Sequence, residues 1–255
     1  MPFMDKKLIK QLLKKDNPII LEVGAHKGTD TLGFLKEFPR IKIYSFEPDP
    51  RIIAQHRNLV NDPRSQLYEL ALSDQDGEAV FYQSGVQVGD KLKHAASSSL
   101  KKPQEHLKVY PQVPFNSSTT VKTMRLDTWA EENNIREVDF IWADVQGAEE
   151  QLIRGGLETL AKTRYFYTEY DDRELYENQI NLRTIQSLIP EFKFVCFYAN
   201  NVLFKNSRYL DLGLDILSDR LLTNYHIYTK ERAYFRLPFK TGLRKLSQKI
   251  MGKKG

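Results

Sequence analysis

The first turn predicted in this chain combines an acid with glycines, residue types that suit a ligand-binding site. The turn from Glu22 to Gly28 places an acid ahead of two glycines, Gly24 and Gly28. Glycines let the backbone approach a ligand closely, whereas an adjoining acid disfavours a pyrophosphate. The turn also lacks the Gly-x-Gly-x-x-Gly pattern of dinucleotide-binding proteins. A neutral or cationic ligand therefore fits this turn better than a dinucleotide.

Two later turns add acids at places where a nucleoside would need them. Glu47 follows the second predicted strand, where an acidic side chain can take both hydroxyls of a ribose. Ser73 and Asp74 follow the third predicted strand, where a carboxylate could accept a hydrogen bond from an adenine amino group. Each turn alone is also typical of an ordinary solvated loop. Taken together, their order and spacing predict a site for S-adenosylmethionine, whose sulfonium is positive.

The elements that must position these turns alternate along the chain. Apolar runs predict strands over residues 19–23, 41–46, 65–72, 78–82, 120–126, 138–143, 164–170, 192–198 and 201–205. Helical spacing predicts helices over residues 4–15, 29–38, 51–61, 127–134, 147–160 and 181–188, with Asp127 as the cap of the fourth. This rhythm predicts an α/β fold with a doubly wound, mostly parallel sheet, whose ligands bind beyond the carboxyl ends of the strands.

One long segment breaks this alternation. Residues 83–119 mix Gly, Ser, Lys and Pro and hold few strong apolar runs, which predicts a long inserted functional loop. Its serine-rich piece from Ala95 to Leu100 could fold over a methyl acceptor and exclude water. A flexible linker is the alternative for this piece. We expect the segment to determine substrate choice.

Six short motifs make the sequence similar to a known family. They are LEVGAHKG at 21–28, FEP at 46–48, ALSDQDG at 71–77, SSSL at 97–100, LDTW at 126–129 and DVQGAE at 144–149. In these motifs the chain resembles the FkbM family of S-adenosylmethionine-dependent methyltransferases over residues 19–170. The resemblance implies a Rossmann-like class I methyltransferase domain, expected over residues 1–228, that methylates a hydroxyl of a saccharide or a polyketide-type secondary metabolite.

The resemblance also implies which residues contact the cofactor. With the strand-end argument, it gives a predicted cofactor-binding set of Glu22, Gly24, Ala25, His26, Gly28, Glu47, Pro48, Ser73, Asp74 and Asp144. The chain departs from the family at His26, where Asn is usual, and at Gln146, where Glu is usual. Gln146 removes a charge from the rim of the site, which keeps a non-catalytic cofactor-binding protein open as an alternative. A nucleotide-binding or dinucleotide-binding enzyme of another class is the other alternative.

Three residues are candidates for the catalytic group that accepts a proton from the acceptor hydroxyl. Asp144 follows an apolar strand and should direct its carboxylate toward the cleft, with a helix N-cap as its alternative role. Glu169 lies among aromatic residues, where desolvation would raise its pKa, although it could instead pair with an Arg. His26 lies in the cofactor turn and could act as a base at neutral pH; His94, in the insertion, is a weaker candidate.

A metal site is a further alternative for the acids of this region. Hard oxygen ligands suit a divalent cation that would activate the hydroxyl. Nothing in their spacing requires a metal, and we predict a site without one. The acids concerned are Asp144, Glu149, Glu169 and Asp171.

The net charge of +5 is concentrated at one end of the chain. Residues 230–255 carry nine Lys or Arg and one Glu, so the remainder has a net charge of −3. Within the basic tail predicted over 229–255, residues 241–251 have the pattern of an amphipathic helix that could contact an anionic membrane surface. A solvated end is the alternative. No nucleic-acid motif accompanies the tail, so we expect a small-molecule or saccharide acceptor and no nucleic acid.

The composition limits the structural class of the protein and the cellular compartment that we expect for it. Hydrophobic residues make up 41% of the chain and charged residues 28%, which excludes collagen-like and mostly disordered classes. The single cysteine, Cys196, cannot form an intrachain disulfide, which favours a reducing compartment. The first 15 residues interleave Lys with Leu and Ile and lack the apolar stretch of a signal peptide. These features predict a cytoplasmic protein.

Overall fold

The computed structural model describes residues 4–89, 91–209 and 214–235. Its strands are β1 Ile19–Val23, β2 Lys42–Phe46, β3 Ser65–Tyr68, β4 Ala71–Ser73, β5 Gly77–Ser84, β6 Val86–Val88, β7 Lys91–Lys93, β8 Phe115–Arg125, β9 Val138–Ala143, β10 Thr163–Glu169, β11 Phe192–Tyr198 and β12 Asn201–Asn206. Its helices are α1 Lys6–Leu13, α2 Thr29–Glu37, α3 Pro50–Leu59, α4 His106–Val109, α5 Leu126–Glu132, α6 Glu149–Arg154, α7 Leu157–Leu160, α8 Leu182–Leu188 and α9 Leu214–Phe235.

Seven strands form the central sheet in the order β11-β12-β10-β9-β1-β2-β3. Strand β12 runs antiparallel to both of its neighbours, and the other neighbouring pairs are parallel. The chain builds outward from β1 to β3 and then returns to β9 on the other side of β1. This reversal makes the carboxyl ends of β1 and β9 the topological switch point, where such sheets bind ligands. The predicted α/β fold with a doubly wound, mostly parallel sheet is confirmed.

Each face of the central sheet carries its own core. In β1, Leu21 and Val23 pack into one hydrophobic cluster, whereas Ile20 packs into the other, because successive side chains of a strand point to opposite faces. The first cluster is centred on Trp129, whose ring lies edge-on to Phe46 at 5.0 Å. Because helices cover both faces, the central strands are apolar on both sides, as predicted from the alternation.

Two expectations about the region between residues 65 and 119 are wrong. The strand predicted over 65–72 is two strands, because β3 pairs with β2 while β4 pairs with β8 in a separate sheet of order β4-β8-β5. The segment over 83–119 is also not a plain loop. It contains the β6–β7 hairpin, helix α4 and the first part of β8. The insertion is therefore an ordered subdomain beside the switch point.

Glycine interrupts the helix that was predicted over 147–160. An added Cβ at Gly155 would lie 1.9 Å from the carbonyl oxygen of Ser73, so the close approach of α6 to β4 requires glycine there. A second helix, α7, begins after Gly156. Asp127 is not the N-cap of α5, whose N-cap is Arg125. Its carboxylate instead accepts hydrogen bonds from the backbone N–H of Thr159, at 2.8 Å, and of Glu158, at 3.2 Å, and so supports α7.

Helix α9 was not predicted from the sequence. It packs against β11 and is joined to the sheet by Asp219, which pairs with the buried Lys205 at 2.7 Å and accepts a hydrogen bond from Tyr165 at 2.7 Å. The helix continues past residue 228, the predicted end of the domain, into the predicted tail over 229–255. The predicted amphipathic segment, residues 241–251, lies outside the described residues. Among the helices that are described, none is both long and apolar enough to cross a membrane.

Candidate functional site

A cavity opens at the switch point, beyond the carboxyl ends of β1, β2 and β9. We call it the first cavity. Its walls come from the turns after these strands, from the residues around β4 and from the insertion. The lining includes residues 23–27, 46–49, 70–72, 95–96 and 144–146. The strand-end turns singled out in the sequence therefore meet at one place.

The two turns at the switch point touch through their backbones. Gly24 has a φ of +86°, and a Cβ added there would lie 2.0 Å from the carbonyl oxygen of Asp144. The backbone N–H of Asp144 donates to the carbonyl of Val23 at 2.9 Å, and that of Gly24 donates to Phe46 at 3.0 Å. Only glycine combines this conformation with such close approach. Gly24 thus fixes the floor of the first cavity.

Glu47 stands in the wall of the first cavity, as predicted. It is only 5% exposed, and its carboxylate accepts hydrogen bonds from the backbone N–H of His26 at 2.7 Å and of Asp49 at 2.8 Å. Burial raises the pKa of Glu47 to about 7 despite these bonds. Each carboxylate oxygen has a second lone pair, so the held carboxylate can accept further hydrogen bonds from a ligand.

Glu22 does not line the first cavity. Because Val23 faces the cavity, the preceding side chain points to the opposite face of the sheet. There the buried Glu22 carboxylate accepts hydrogen bonds from the hydroxyls of Thr31, at 2.5 Å, and Ser45, at 3.0 Å. Burial raises the pKa of Glu22 to about 7. Its position suits it to hold α2 against the sheet.

Three more predicted cofactor residues lie outside the cavity wall. Gly28 has a φ of +83° and packs on His56, where an added Cβ would meet the imidazole at 2.9 Å. Ser73 donates its hydroxyl to Asp74 at 3.2 Å, and neither lines the cavity. The wall at this place is made of apolar side chains instead, namely Leu70, Ala71, Leu72, Phe81 and Leu100. A flat apolar wall of this kind suits an aromatic base.

His26 lines the first cavity with an unpartnered nitrogen. Its backbone has a φ of +46°, and its Nε2 is buried with no hydrogen-bond partner among the described residues. Burial and the neighbouring Lys27 lower the pKa of His26, which favours the neutral imidazole. Ala25 and Pro48 complete this part of the wall. His94, the other histidine considered, lines neither cavity.

A second cavity of about 250 Å³ adjoins the first. The two share three lining residues, Ala96, Asp144 and Gln146. The other walls of the second cavity come from the insertion and from the chain that follows β10. Its polar and aromatic lining includes His106, Tyr110, Glu149, Glu169, Asp171 and Tyr176. Asp144 thus faces both spaces.

Gln146 connects the carboxyl groups at this junction. Its Nε2 donates to Asp144 Oδ1 at 2.6 Å and to Glu169 Oε2 at 2.8 Å. Its Oε1 lies 2.9 Å from the hydroxyl of Tyr176, whose single hydrogen is shared between this oxygen and the carbonyl oxygen of Ser97. Gln146 also has a φ of +51°, an unusual conformation for a residue other than glycine. One amide therefore holds the two predicted catalytic acids side by side.

The paired acids titrate differently from free carboxyls. Burial and the charge of Asp144 raise the pKa of Glu169 to about 9. Crowding by protein atoms also raises the pKa of Asp144, although its carboxylate is reached by solvent through the open cavities. In the described part of the chain, Glu169 forms no ion pair with an Arg. Asp144 is not a helix cap either, since Ala148 is the N-cap of α6.

The predicted lid, residues 95–100, forms part of the walls of both cavities and is held there by hydrogen bonds. Ser98 Oγ accepts a hydrogen bond from Arg51 at 3.3 Å, and Ser99 Oγ donates to the carbonyl of Gln146 at 2.7 Å. Tyr176 also reaches the carbonyl of Ser97, at 2.8 Å. These bonds tie the serine-rich piece to α3, to the turn after β9 and to the chain after β10. The serine-rich piece is therefore a fixed part of the cavity walls and not a free linker.

Tyr176 and His106 are site residues that the sequence did not suggest. Both lie in segments without a periodic pattern, and they meet because residues 103 and 176 form an isolated bridge between the insertion and the chain after β10. The rings of His106 and Tyr176 lie 5.4 Å apart. Tyr176 packs on Gly147, where an added Cβ would lie 2.8 Å from the ring. Gly147 was the only local feature of the sequence that indicated this contact.

Across the described ranges, no group of three acidic, His or Cys side chains could hold a metal ion.

Comparison with known proteins agrees with this geometry. The family model described as "Methyltransferase FkbM domain" matches residues 22–205. The chain is 42% identical over 205 residues to the 2-O-methyltransferase NoeI of Sinorhizobium fredii, covering 78% of this chain and 84% of that protein.

Two proteins of known structure are among those that match this chain. One is fibrillarin of Aeropyrum pernix with natively bound S-adenosyl-L-methionine, at a TM-score of 0.41 and 15% identity, covering 75% of this chain and 67% of that one. The other is a putative O-methyltransferase of Klebsiella pneumoniae, at a TM-score of 0.42 and 12% identity, covering 79% of each chain.

The match to the family model covers well over half of the chain, and it begins at the glycine turn of β1 and ends in β12. The matched region holds both cavities and the Asp144–Gln146–Glu169 cluster. The chain belongs to the FkbM family of S-adenosylmethionine-dependent methyltransferases.

Proposed function

We propose that this protein transfers the methyl group of S-adenosylmethionine to a hydroxyl of a small saccharide or secondary metabolite by direct displacement. The observation that carries the proposal is the position of Asp144, which lines both cavities. A group transfer between two ligands needs one place where both ligands meet. The shared wall at Asp144 and Gln146 is such a place.

The first cavity has the features that the cofactor needs. Glu47 presents a held carboxylate for the ribose hydroxyls, and Gly24 and Ala25 bring the backbone close to the ligand. The apolar wall around Leu72 and Phe81 suits the adenine ring. Glu22 and Gly28 support the turn from behind and do not touch the ligand in this proposal. When bound, the cofactor supplies a methyl group on a positively charged sulfur.

The residues around the second cavity bind and orient the hydroxyl. Asp144 is the base that takes its proton, because a carboxylate at the junction lies beside the reacting oxygen. Glu169 and Gln146 hold Asp144 in place. The wall formed by residues 95–100 keeps water from the junction. Much of the rate enhancement then comes from holding the two ligands in line, on the order of 7–11 kcal/mol.

The substrate class follows from the relative and from the cavity together. NoeI, at 42% identity, is a 2-O-methyltransferase. Carboxyl groups accept hydrogen bonds from sugar hydroxyls, and the half-buried ring of Tyr110 in the same lining offers an aromatic surface to a sugar. A saccharide is therefore the first acceptor class to test, and a polyketide-type alcohol is the second.

The substitution Asp144→Asn tests the proposal. We expect turnover with the best acceptor from a panel of saccharides and polyketide alcohols to fall by about 10²–10⁴-fold. The affinity for S-adenosylmethionine, measured by calorimetry, should fall by a smaller factor than turnover. Asp16→Asn is the matched control, because Asp16 is an exposed acid that pairs with Arg40 on the surface and lines neither cavity. Equal losses of affinity and turnover in Asp144→Asn would show that Asp144 has a structural role. If the unaltered protein does not bind the cofactor, the proposed function is wrong.

A further inference from the structure

Two carboxyl groups share one amide at the junction of the cavities, and no Lys or Arg of the described residues forms an ion pair with either of them. We propose that Asp144 and Glu169 hold one proton between them in the cofactor-free protein and release it when S-adenosylmethionine binds. Asp144 then becomes a free base only in the loaded protein. This inference rests on the proposed function, because it requires the sulfonium to lie in the first cavity.

The geometry of Gln146 is what keeps the two acids together. Its amide nitrogen has two hydrogens and donates one to each carboxyl group, at 2.6 Å and 2.8 Å. Its oxygen faces the Tyr176 hydroxyl, a donor, and this contact fixes which end of the amide faces the acids. Gln146 is thus a positioning residue. The remaining oxygens of Asp144 and Glu169 are left to share a proton.

The charges around the pair favour retention of that proton. Neither a Lys nor an Arg is among the described residues that line the second cavity. Arg173 is ion-paired to Asp171 at 2.6 Å and points to solvent. Most titratable groups around the pair are acids or neutral rings: Asp30, Glu47, Asp49 and His26 in the first cavity, and Glu149, Asp171, His106 and Tyr176 in the second. The cations are Lys101, whose ammonium donates to the carbonyl of Asn178 at 2.7 Å, and Lys27, which lines the first cavity in the turn after β1.

The ionisation of Glu169 agrees with a shared proton. Burial and the neighbouring Asp144 charge raise the pKa of Glu169 to about 9, so one proton stays on the pair at neutral pH. A positive charge within about 4–6 Å lowers the pKa of a carboxyl group by about 1–3. Asp144 is in the wall of the first cavity, so a sulfonium there acts on the pair directly. Binding of a cation therefore replaces the proton.

Proton balance is preserved through the reaction. The released proton goes to the buffer when the cofactor binds. During transfer the bond from oxygen to methyl forms, the bond from sulfur to methyl breaks, and the hydroxyl proton moves to the vacant carboxylate of Asp144. The sulfur then carries no charge, so the pair keeps that proton until the next molecule of S-adenosylmethionine binds. Each turnover thus releases one proton to solvent.

Calorimetry with two ligands tests the inference without an acceptor. Binding of S-adenosylmethionine and of S-adenosylhomocysteine is measured at pH 8 in buffers of different ionisation enthalpy, which gives the protons released by each. The ligands differ only in the methyl group and the charge on sulfur, so protons of their shared parts cancel in the comparison. We expect about 0.5–1 more proton to be released with S-adenosylmethionine. Equal release by both ligands would overturn the inference.

Two variants assign the released proton. In Glu169→Gln the excess should disappear, whereas Asp16→Asn, a change to an exposed acid outside both cavities, should retain it. Persistence of the excess in Glu169→Gln would overturn the assignment. In Gln146→Glu a third carboxyl group joins the pair and raises its proton affinity, so the pH of maximal excess should move upward. An unmoved maximum there would also overturn it, and this variant serves if Glu169→Gln does not fold.

The experiment separates this inference from the function on which it rests. If neither ligand binds, the proposed function fails and the inference fails with it. If both bind with equal proton release, only the inference fails. The excess should also decline from pH 8 toward pH 10, because the free pair loses its proton near pH 9 before the cofactor arrives.

Discussion

The two cavities share Asp144 but are built in different ways. The first is bounded by turns that directly follow paired strands, and backbone contacts such as that of Gly24 with Asp144 fix its shape. The second is bounded by the insertion and the chain after β10. Side-chain hydrogen bonds hold these two segments together, including Tyr176 to Ser97 at 2.8 Å and Lys101 to the carbonyl of Asn178 at 2.7 Å.

This difference predicts how each cavity responds to substitution. A change in the first cavity should act on the fold and on cofactor affinity, because the backbone of the sheet itself forms the site. A change in the second should act mainly on turnover, because side chains position the acceptor and the base. The contrast separates a cofactor site that the fold provides from an acceptor site that individual residues provide.

Among changes in cofactor affinity, the largest is expected for Gly24→Ala. Its Cβ would lie 2.0 Å from the carbonyl oxygen of Asp144 at a φ of +86°, so β1 and β9 must separate at the switch point. We expect binding of S-adenosylmethionine to weaken by more than about 100-fold and the melting temperature to fall by several degrees. Calorimetry and thermal unfolding measure the two effects.

Gly89→Ala is the matched control for that substitution. Gly89 also has a positive φ, +57°, but an added Cβ would meet nothing within 4 Å. It should therefore show only the cost of the left-handed backbone, about 1–2 kcal/mol, and bind the cofactor normally. Similar cofactor affinities in the two variants would mean that the contact with Asp144 does not shape the first cavity.

The next largest effect is expected for Glu47→Ala. The carboxylate is held by two backbone N–H groups and faces the first cavity, so its loss removes charge-assisted hydrogen bonds to the ribose. We expect cofactor affinity to fall by about 1.5–3 kcal/mol, or roughly 10-fold to 150-fold. Glu22→Ala should destabilise the protein, because Glu22 is buried behind the turn, yet weaken binding less. An unchanged affinity in Glu47→Ala would contradict the ribose assignment.

The same contrast explains what the sequence could predict. Strand β9 and the position of Asp144 after it were predictable, because a run of buried apolar residues followed by a polar turn marks a parallel strand and its carboxyl end. Gly24 and Glu47 were found in the same way. The direction of Glu22 was not, since a five-residue strand that is buried on both faces has no alternation to show which side chain faces the ligand.

The second cavity was beyond this kind of prediction. Tyr176 reaches Gln146 only because the chain after β10 packs on Gly147, a contact between segments that carry no periodic pattern. The sequence singled out Gln146 as a lost charge. The structure shows instead that its amide donates to two acids, which a glutamate in the same place could not do while ionised.

A smaller effect, confined to turnover, is expected for Tyr176→Phe. Loss of the hydroxyl frees Gln146 Oε1 and the carbonyl of Ser97, so the amide no longer holds one orientation toward the acids. We expect kcat to fall about 3-fold to 10-fold, as for one lost hydrogen bond, with cofactor affinity unchanged. In Tyr209→Phe, whose hydroxyl donates to the carbonyl of Lys162 at 3.0 Å away from both cavities, kcat should stay unchanged. Weaker cofactor binding in Tyr176→Phe would show that the two cavities are not independent.

The smallest effect is expected when residues after Phe239 are removed. None of the described residues of α9 lines either cavity, and the helix is joined to the sheet through Asp219, Lys205 and Tyr165, all of which precede the cut. Affinity for S-adenosylmethionine should therefore stay within about twofold of the full chain, measured by calorimetry. If the removed residues contact an anionic surface, binding to vesicles with acidic lipids should be lost at the same time. If truncation abolishes cofactor binding, residues after Phe239 help to hold the first cavity in shape. That cavity would then depend on the basic end of the chain as well as on the turns of the sheet.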